Sequence, residues 1–403
     1  MTDFDTDLAL PARSDVVVVG GGVMGTSTAF FLAEDGDRSV TLLEKSRLAA
    51  GSSGDSSAII RHHYGDEAIY TELAWWSHGF YRRFAAETGA ELAYDDAPLV
   101  RFASEGTPSG RYARDGYEVL RGRDIPASAY AGDELPERYP MFDVDGRYDI
   151  AVSDDDAAYS DGTDAALGFA RAAADRGVTV ETGVSVESIE TEGGRVVGVQ
   201  TDRGAIECEA VVLAAGPWTP RLAETVGLDV PITPVREQVL LLEPPEEYVD
   251  VFGDGTPTTS FPGGEWYIRP DVGGGILVGT HRHDEPTDPD AYDDTPDEEV
   301  VLELIDELGE HVPGLRDARV KGSYCGVYST TPDHDFIIDQ AGPAGCYLCC
   351  GFSGHGFKHA PAVGKLTAAL VLDGDSALVD VAYFSLDRFA DDPDGHGRPA
   401  DNI

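Results

Sequence analysis

Short unbroken apolar runs alternate along this chain with longer stretches in which apolar positions recur at helical spacing. Val16–Val19 is a β-branched run that predicts a strand covered on both faces. Thr26–Asp35 predicts a helix and Val40–Leu43 a second strand, so the chain opens with a strand–helix–strand unit of the parallel kind. Tyr70–Thr88 carries aromatic and aliphatic residues at helical spacing. Asp164–Arg176 predicts a helix, followed by strands at Val178–Glu181, Val196–Thr201 and Val211–Ala214. Farther on, Val235–Leu242, Trp266–Arg269 and Gly275–Thr280 read as strands of an antiparallel sheet. Glu298–His311 predicts a helix, Cys346–Cys350 a strand and Ala360–Leu372 a last helix. Asp95–Asp156, with Pro98, Pro108, Pro126, Pro136 and Pro140, reads as irregular loops, and no internal repeat is visible.

This order predicts a mixed α/β (α+β) fold. A Rossmann-like nucleotide-binding domain, residues 1–91, 159–229 and 326–403, is interleaved with a smaller antiparallel-sheet substrate domain, residues 92–158 and 230–325. A chain of 403 residues has room for two such cores.

Composition adds a statement about solvent. There are 74 acidic residues against 29 basic ones, a formal net charge of −45, and the only lysines are Lys45, Lys321, Lys358 and Lys365. The carboxylates are spread along the chain, as in proteins adapted to molar salt, where screening reaches down to about 3 Å. Such charge argues against nucleic-acid partners. No apolar run is long enough to span a membrane. The acidic stretch Met1–Ser14 does not read as a leader, and the cysteines Cys208, Cys325, Cys346, Cys349 and Cys350 form no even framework. A cytoplasmic location is expected. Cys346 and Cys349 have metal-like spacing but sit in an apolar run without a second pair, so no metal is expected.

The candidate chemistry begins at Gly20-Gly21-Gly22-Val23-Met24-Gly25, between a predicted strand and helix. The first glycine makes the tight turn, Gly22 lets backbone approach a pyrophosphate, and Gly25 lets helix pack on strand. Glu44, followed by Lys45, ends the next strand, where a carboxylate accepts ribose hydroxyls. Ser53, Ser56 and Ser57 lie in a small-residue loop able to follow a long ligand. Ala215, Gly216 and Trp218 follow the strand at Val211–Ala214, and Val186 is placed with them. Near the other end, Gly351-Phe352-Ser353-Gly354-His355-Gly356-Phe357-Lys358 runs into a helix that starts at Ala360-Pro361. A ligand touched by both ends of the chain is long, as FAD is.

Those segments, with Ile59-Ile60-Arg61-His62-His63-Tyr64-Gly65 and Thr331-Pro332-Asp333-His334-Asp335-Phe336-Ile337-Ile338-Asp339, resemble the sarcosine oxidase branch of the glycine/D-amino acid oxidase flavoproteins. The resemblance implies FAD, two domains, and oxidation of a small N-substituted or D-configured amino acid. It places Arg61 and Lys358 on the substrate carboxylate, Tyr328 on the active-site tyrosine and His281 near the flavin. Where some members attach flavin through cysteine, this chain has Gly326, with Cys325 displaced by one, so FAD is expected to be non-covalent. Where the oxidases place a lysine over the flavin, it has Leu277. That favours a dehydrogenase handing electrons to a carrier over an oxidase using oxygen. The alternatives are a 2-hydroxy acid dehydrogenase, with His281 as base, and one flavin subunit of an electron-transfer complex. Oligomeric state is left open by the sequence.

Overall fold

The computed structural model describes residues 9–252, 255–282 and 285–391. Val16–Val19 is fully buried and lies between Val40–Glu44 on one side and Ala210–Leu213 on the other, all parallel. These strands sit in a six-stranded sheet whose order is Ile337–Gln340, Cys346–Cys350, Ala210–Leu213, Val16–Val19, Val40–Glu44, Thr179–Thr182. Only Ile337–Gln340 runs against its neighbour. Strand order reverses beside Val16–Val19, the position at which parallel sheets open a crevice beyond their carboxyl ends.

The helix Val23–Asp35 is apolar on nearly every side, because it is covered by the sheet and by two helices, Gly162–Asp175 and Ala360–Asp373. Small residues permit that. A Cβ on Gly364 would lie 2.0 Å from Ser27 Oγ, and Ser27 donates to the Ala360 carbonyl at 2.8 Å. Phe30, Phe80, Phe84 and Phe169 fill the remaining space with edge and stacked ring contacts, each worth about 0.5–1.5 kcal/mol beyond area burial.

The second large sheet has eight strands, in the order Arg319–Thr330, Thr233–Glu243, Ile276–Thr280, Trp266–Pro270, Thr258–Ser260, Leu99–Ala103, Ile150–Asp154, Ala127–Ala131. One face packs Leu240, Leu242, Trp266, Ile268, Ile276 and Val278 against the helix Glu298–His311. The other face looks toward the crevice.

Three sequence expectations need correction. The stretch 95–156 is not irregular: it supplies three strands of the large sheet and the helix Pro108–Gly122. All of its prolines but Pro140 stand at element starts. Pro98 and Pro126 precede strands, and Pro108 opens a helix whose N-cap, Thr107, accepts from Gly110 N at 3.0 Å. The predicted helix Tyr70–Thr88 is two helices, Ala68–Tyr81 and Phe84–Thr88. The long strand Arg319–Thr330 went unpredicted because its first half is polar and exposed.

Candidate active site

A cleft of 780 Å³ runs along the carboxyl ends of Val16–Val19 and Val40–Glu44 and ends at the loop before the helix Ala360–Asp373. Glycines make its floor. A Cβ on Gly20 would fall 2.3 Å from the Ala214 carbonyl oxygen, and one on Gly25 would fall 2.0 Å from the Gly20 carbonyl oxygen. The strand and the helix can therefore meet only where both residues lack side chains. Ser53 Oγ accepts from Val23 N at 2.9 Å, and Gly22, Val23 and Met24 line the cleft at the helix start. Glu44 accepts from Gly21 N at 2.7 Å and from Ser46 N at 2.8 Å, which fixes its carboxylate at the cleft wall with lone pairs to spare. At the rim, Lys45 sits 3.6 Å over the Trp218 ring, and Asp290 accepts from Lys45, Trp218 and Arg221.

At the far end, Ser353 and Gly354 are consecutive left-handed residues, with φ of 44° and 80°. The turn is obligatory for Gly354, since a Cβ there would lie 2.4 Å from the Tyr328 ring. Tyr81 holds the loop from behind by donating to the Phe357 carbonyl at 2.7 Å.

A smaller cavity of 60 Å³ adjoins the cleft: Ser57, Tyr267, Tyr328 and Gly354 line both. Arg61, Lys358, Tyr328 and His281 all line it, and no carboxylate does among the described residues. Arg61 is buried, stacks over Tyr64 at 4.1 Å and donates to the His63 carbonyl. Lys358 is buried and donates to the His355 carbonyl at 3.2 Å. Burial, then Arg61 and Arg101, pushes its pKa well below the usual lysine value. The same three causes, with Arg101 ahead of Arg61, bring His281 down to about 4. Tyr328 is hydrogen-bonded to Tyr267, and burial holds its hydroxyl protonated.

Of the residues expected along a cofactor, Gly20, Gly22, Val23, Met24, Glu44, Lys45, Ser53, Ser56, Ser57, Val186, Ala215, Gly216, Trp218, Gly354, Gly356 and Phe357 line the long cleft. Three do not. Gly25 lies beneath it as a packing glycine, while His355 and Lys358 face the smaller cavity, because the turn at Gly354 redirects the chain. Sequence reasoning missed Arg101, Tyr267 and Glu237. Tyr267 lay in a predicted strand whose alternation already put it opposite Trp266 and Ile268. Gly326 lines the cleft and Cys325 does not; the unforeseen thiol there is Cys349, beside Thr367. Leu277 is buried and lines neither cavity.

The sequence profile of the FAD dependent oxidoreductase family matches residues 15–370. The chain belongs to that family. Monomeric sarcosine oxidase of Bacillus sp. (strain B-0618) is 28% identical over 383 residues, 93% of this chain and 96% of that protein. Sarcosine oxidase subunit beta of Rhizobium meliloti (strain 1021) is 30% identical over 392 residues, covering 93% of this chain and 88% of the subunit. Among solved structures, L-proline dehydrogenase from P. horikoshii superimposes with a TM-score of 0.85 at 26% identity, covering 95% of this chain and 99% of that one. The oxidoreductase is a flavoprotein, and its cofactor is FAD. The cleft fits such a group: it is long, its floor has no room for side chains, and it begins at a helix start whose N–H groups suit a pyrophosphate.

Proposed function

We propose that this oxidoreductase oxidises the C–N bond of a small amino acid to an imine, which water then hydrolyses. The observation that carries the reading is the convergence of Arg61, Lys358 and Tyr328 on a cavity that adjoins the cleft and has no acidic lining among the described residues. Bound FAD supplies the acceptor for the hydride that leaves the carbon next to nitrogen. Arg61 offers a planar fork and Lys358 a point charge to the substrate carboxylate, which sets the reacting carbon in place. Burial, and after it the positive field of Arg61 and Arg101, depresses Lys358 and His281 and disfavours an ammonium in the same way, so the substrate amine binds neutral. Tyr328, fixed by Tyr267 and by the flat approach of Gly354, orients the substrate from the sheet side. His281, neutral at ordinary pH, is an acceptor in the same cavity.

Along the cleft, Glu44 takes the ribose hydroxyls, the first turn after Gly22 takes the pyrophosphate, and Gly354, Gly356 and Phe357 face the flavin. Residues 1–91, 159–229 and 326–403 form the FAD domain, and 92–158 with 230–325 the substrate domain. The flavin is held without a covalent link: Cys325 pairs in register with Gln238 and lies off the cleft. We favour a dehydrogenase, because Lys45 and Lys358 are the only lysines at either cavity among the described residues and the sheet wall carries Glu237, Val239, Tyr267, Gly326 and Tyr328. A second reading, a flavin subunit of a larger assembly, is favoured by the 30% identity to a sarcosine oxidase subunit. Among the described residues no helix is long and apolar enough to cross a membrane.

The test is anaerobic. Sarcosine, D-proline, pipecolate, glycine and hydroxy acids are added in turn to the FAD-loaded protein in molar salt while flavin absorbance is followed. Bleaching by an amine and slow recolouring in air are expected. Bleaching by hydroxy acids alone would overturn the reading, and rapid recolouring would make the enzyme an oxidase.

A further inference from the structure

The small cavity holds a third cation. Arg101 comes from the strand Leu99–Ala103, which runs parallel to Thr258–Ser260 with Arg101 opposite Ser260 and Leu99 opposite Thr258. All four residues line the cavity with Arg61 and Lys358. Arg101 Nη1 donates to Ser260 Oγ at 2.6 Å. Its Nε is fully buried and has no hydrogen-bond partner, and the same is true of Thr258 Oγ1, two residues along the neighbouring strand from Ser260. Two orphaned polar atoms on adjacent strands of one wall are a costly arrangement unless a ligand satisfies them.

Among the described residues no side chain offers that ligand. The buried carboxylate Asp154 is committed to His62: its Oδ2 accepts from the His62 backbone N at 2.6 Å and its Oδ1 pairs with Nδ1 at 3.0 Å. A guanidinium does not shed its proton, so Arg101 stays charged however deeply it is set. The α-carboxylate assigned above to Arg61 and Lys358 leaves Arg101, Thr258 and Ser260 unengaged.

We propose that Arg101, Thr258 and Ser260 form a second anion subsite that takes the side-chain carboxylate of a dicarboxylic amino acid. The inference rests on the amino-acid reading above and narrows it to one substrate class. The guanidinium meets the carboxylate edge to edge, with Nε donating to it in the plane of the group, and Thr258 donates its free hydroxyl to the same carboxylate. The oxidation itself is unchanged, since the second carboxylate lies off the C–N bond.

The test separates binding from turnover. The FAD-loaded protein is titrated at fixed molar salt with succinate and with propionate, neither of which has a C–N bond, and the flavin spectrum is followed. Succinate is expected to bind about 10- to 100-fold more tightly, the size of a charge-assisted hydrogen bond. In Arg101→Met the ratio of the two affinities is expected to fall to about one. Arg101→Lys should retain part of it, and Thr258→Val should lower it several-fold. Equal affinities in the unaltered protein, or a ratio that survives Arg101→Met, would overturn the subsite. Flavin reduction by N-methylaspartate and by sarcosine is then compared. A kcat/KM for sarcosine equal to or above that for N-methylaspartate sinks the subsite and leaves C–N oxidation standing. Tight succinate binding with no reduction by either amine keeps the subsite and sinks C–N oxidation.

Discussion

Burial depresses the pKa of five interior histidines, His63, His78, His281, His355 and His359. It lowers His63 to about 4 and His78 to about 3, with Arg101 and His62, respectively, as the next causes, and it lowers His281 to about 4. His355 and His359 are driven well below the usual value for the same first reason. In the unfolded chain these groups titrate near 6.5. Between that pH and about 4 the unfolded state binds more protons, so the stability present above pH 6.5 is lost as pH falls. Asp55 acts in the opposite sense, since burial raises it to about 6, but it is one group against several. The thermal midpoint at fixed salt is therefore expected to drop steadily from pH 6.5 to 4; a flat profile there would contradict the account. At this scale Arg61 and Lys358 could be picked out as cavity residues because each sits in a segment specific enough to resemble a family, and Tyr328 and His281 were placed there only by what that resemblance implies. Arg101 was not, because a lone arginine in a proline-rich stretch shows neither its strand nor its missing partner.

The elements depend on glycines at two crossings, Gly20 with Gly25 and Ser27 with Gly364. Gly25→Ala would place a methyl 2.0 Å from the Gly20 carbonyl oxygen, a backbone atom with nowhere to go. It is expected to push the helix Val23–Asp35 off its strand, to cost about 1–3 kcal/mol, and to yield a protein purified without yellow colour. Gly122→Ala, where nothing lies within 4 Å of the added atom, is the matched comparison and should keep both stability and flavin. Unaltered flavin content in Gly25→Ala would remove the crossing from the cofactor argument. The parallel strands were legible as β-branched runs because both their faces are buried. The 95–156 stretch was misread because proline marks the start of an element as often as its absence, and only the surrounding sheet shows which. The hairpin Val186–Glu192 with Arg195–Thr201 was half visible, since only the buried positions of its second strand carry an apolar signal.

Over the whole molecule, a net charge of −45 is carried mostly at the surface, and the arginines meet carboxylates there, as in Arg13 with Glu209 and Arg123 with Glu72. Exposed pairs of this kind contribute little each, so repulsion among the remaining carboxylates dominates in dilute buffer. The thermal midpoint is expected to rise as potassium chloride goes from about 0.1 M to molar concentrations, where the screening length falls from about 10 Å to 3 Å. A midpoint insensitive to salt would mean that the acidic surface has another purpose. The packing of the helix Val23–Asp35 against Ala360–Asp373 has a consequence in time. The wall formed by Gly354, Gly356 and Phe357 is added more than three hundred residues after Gly20–Gly25. A nascent chain thus carries half a binding site while all the residues between are being made, and the flavin can be enclosed only once the ribosome has released the segment that closes around it.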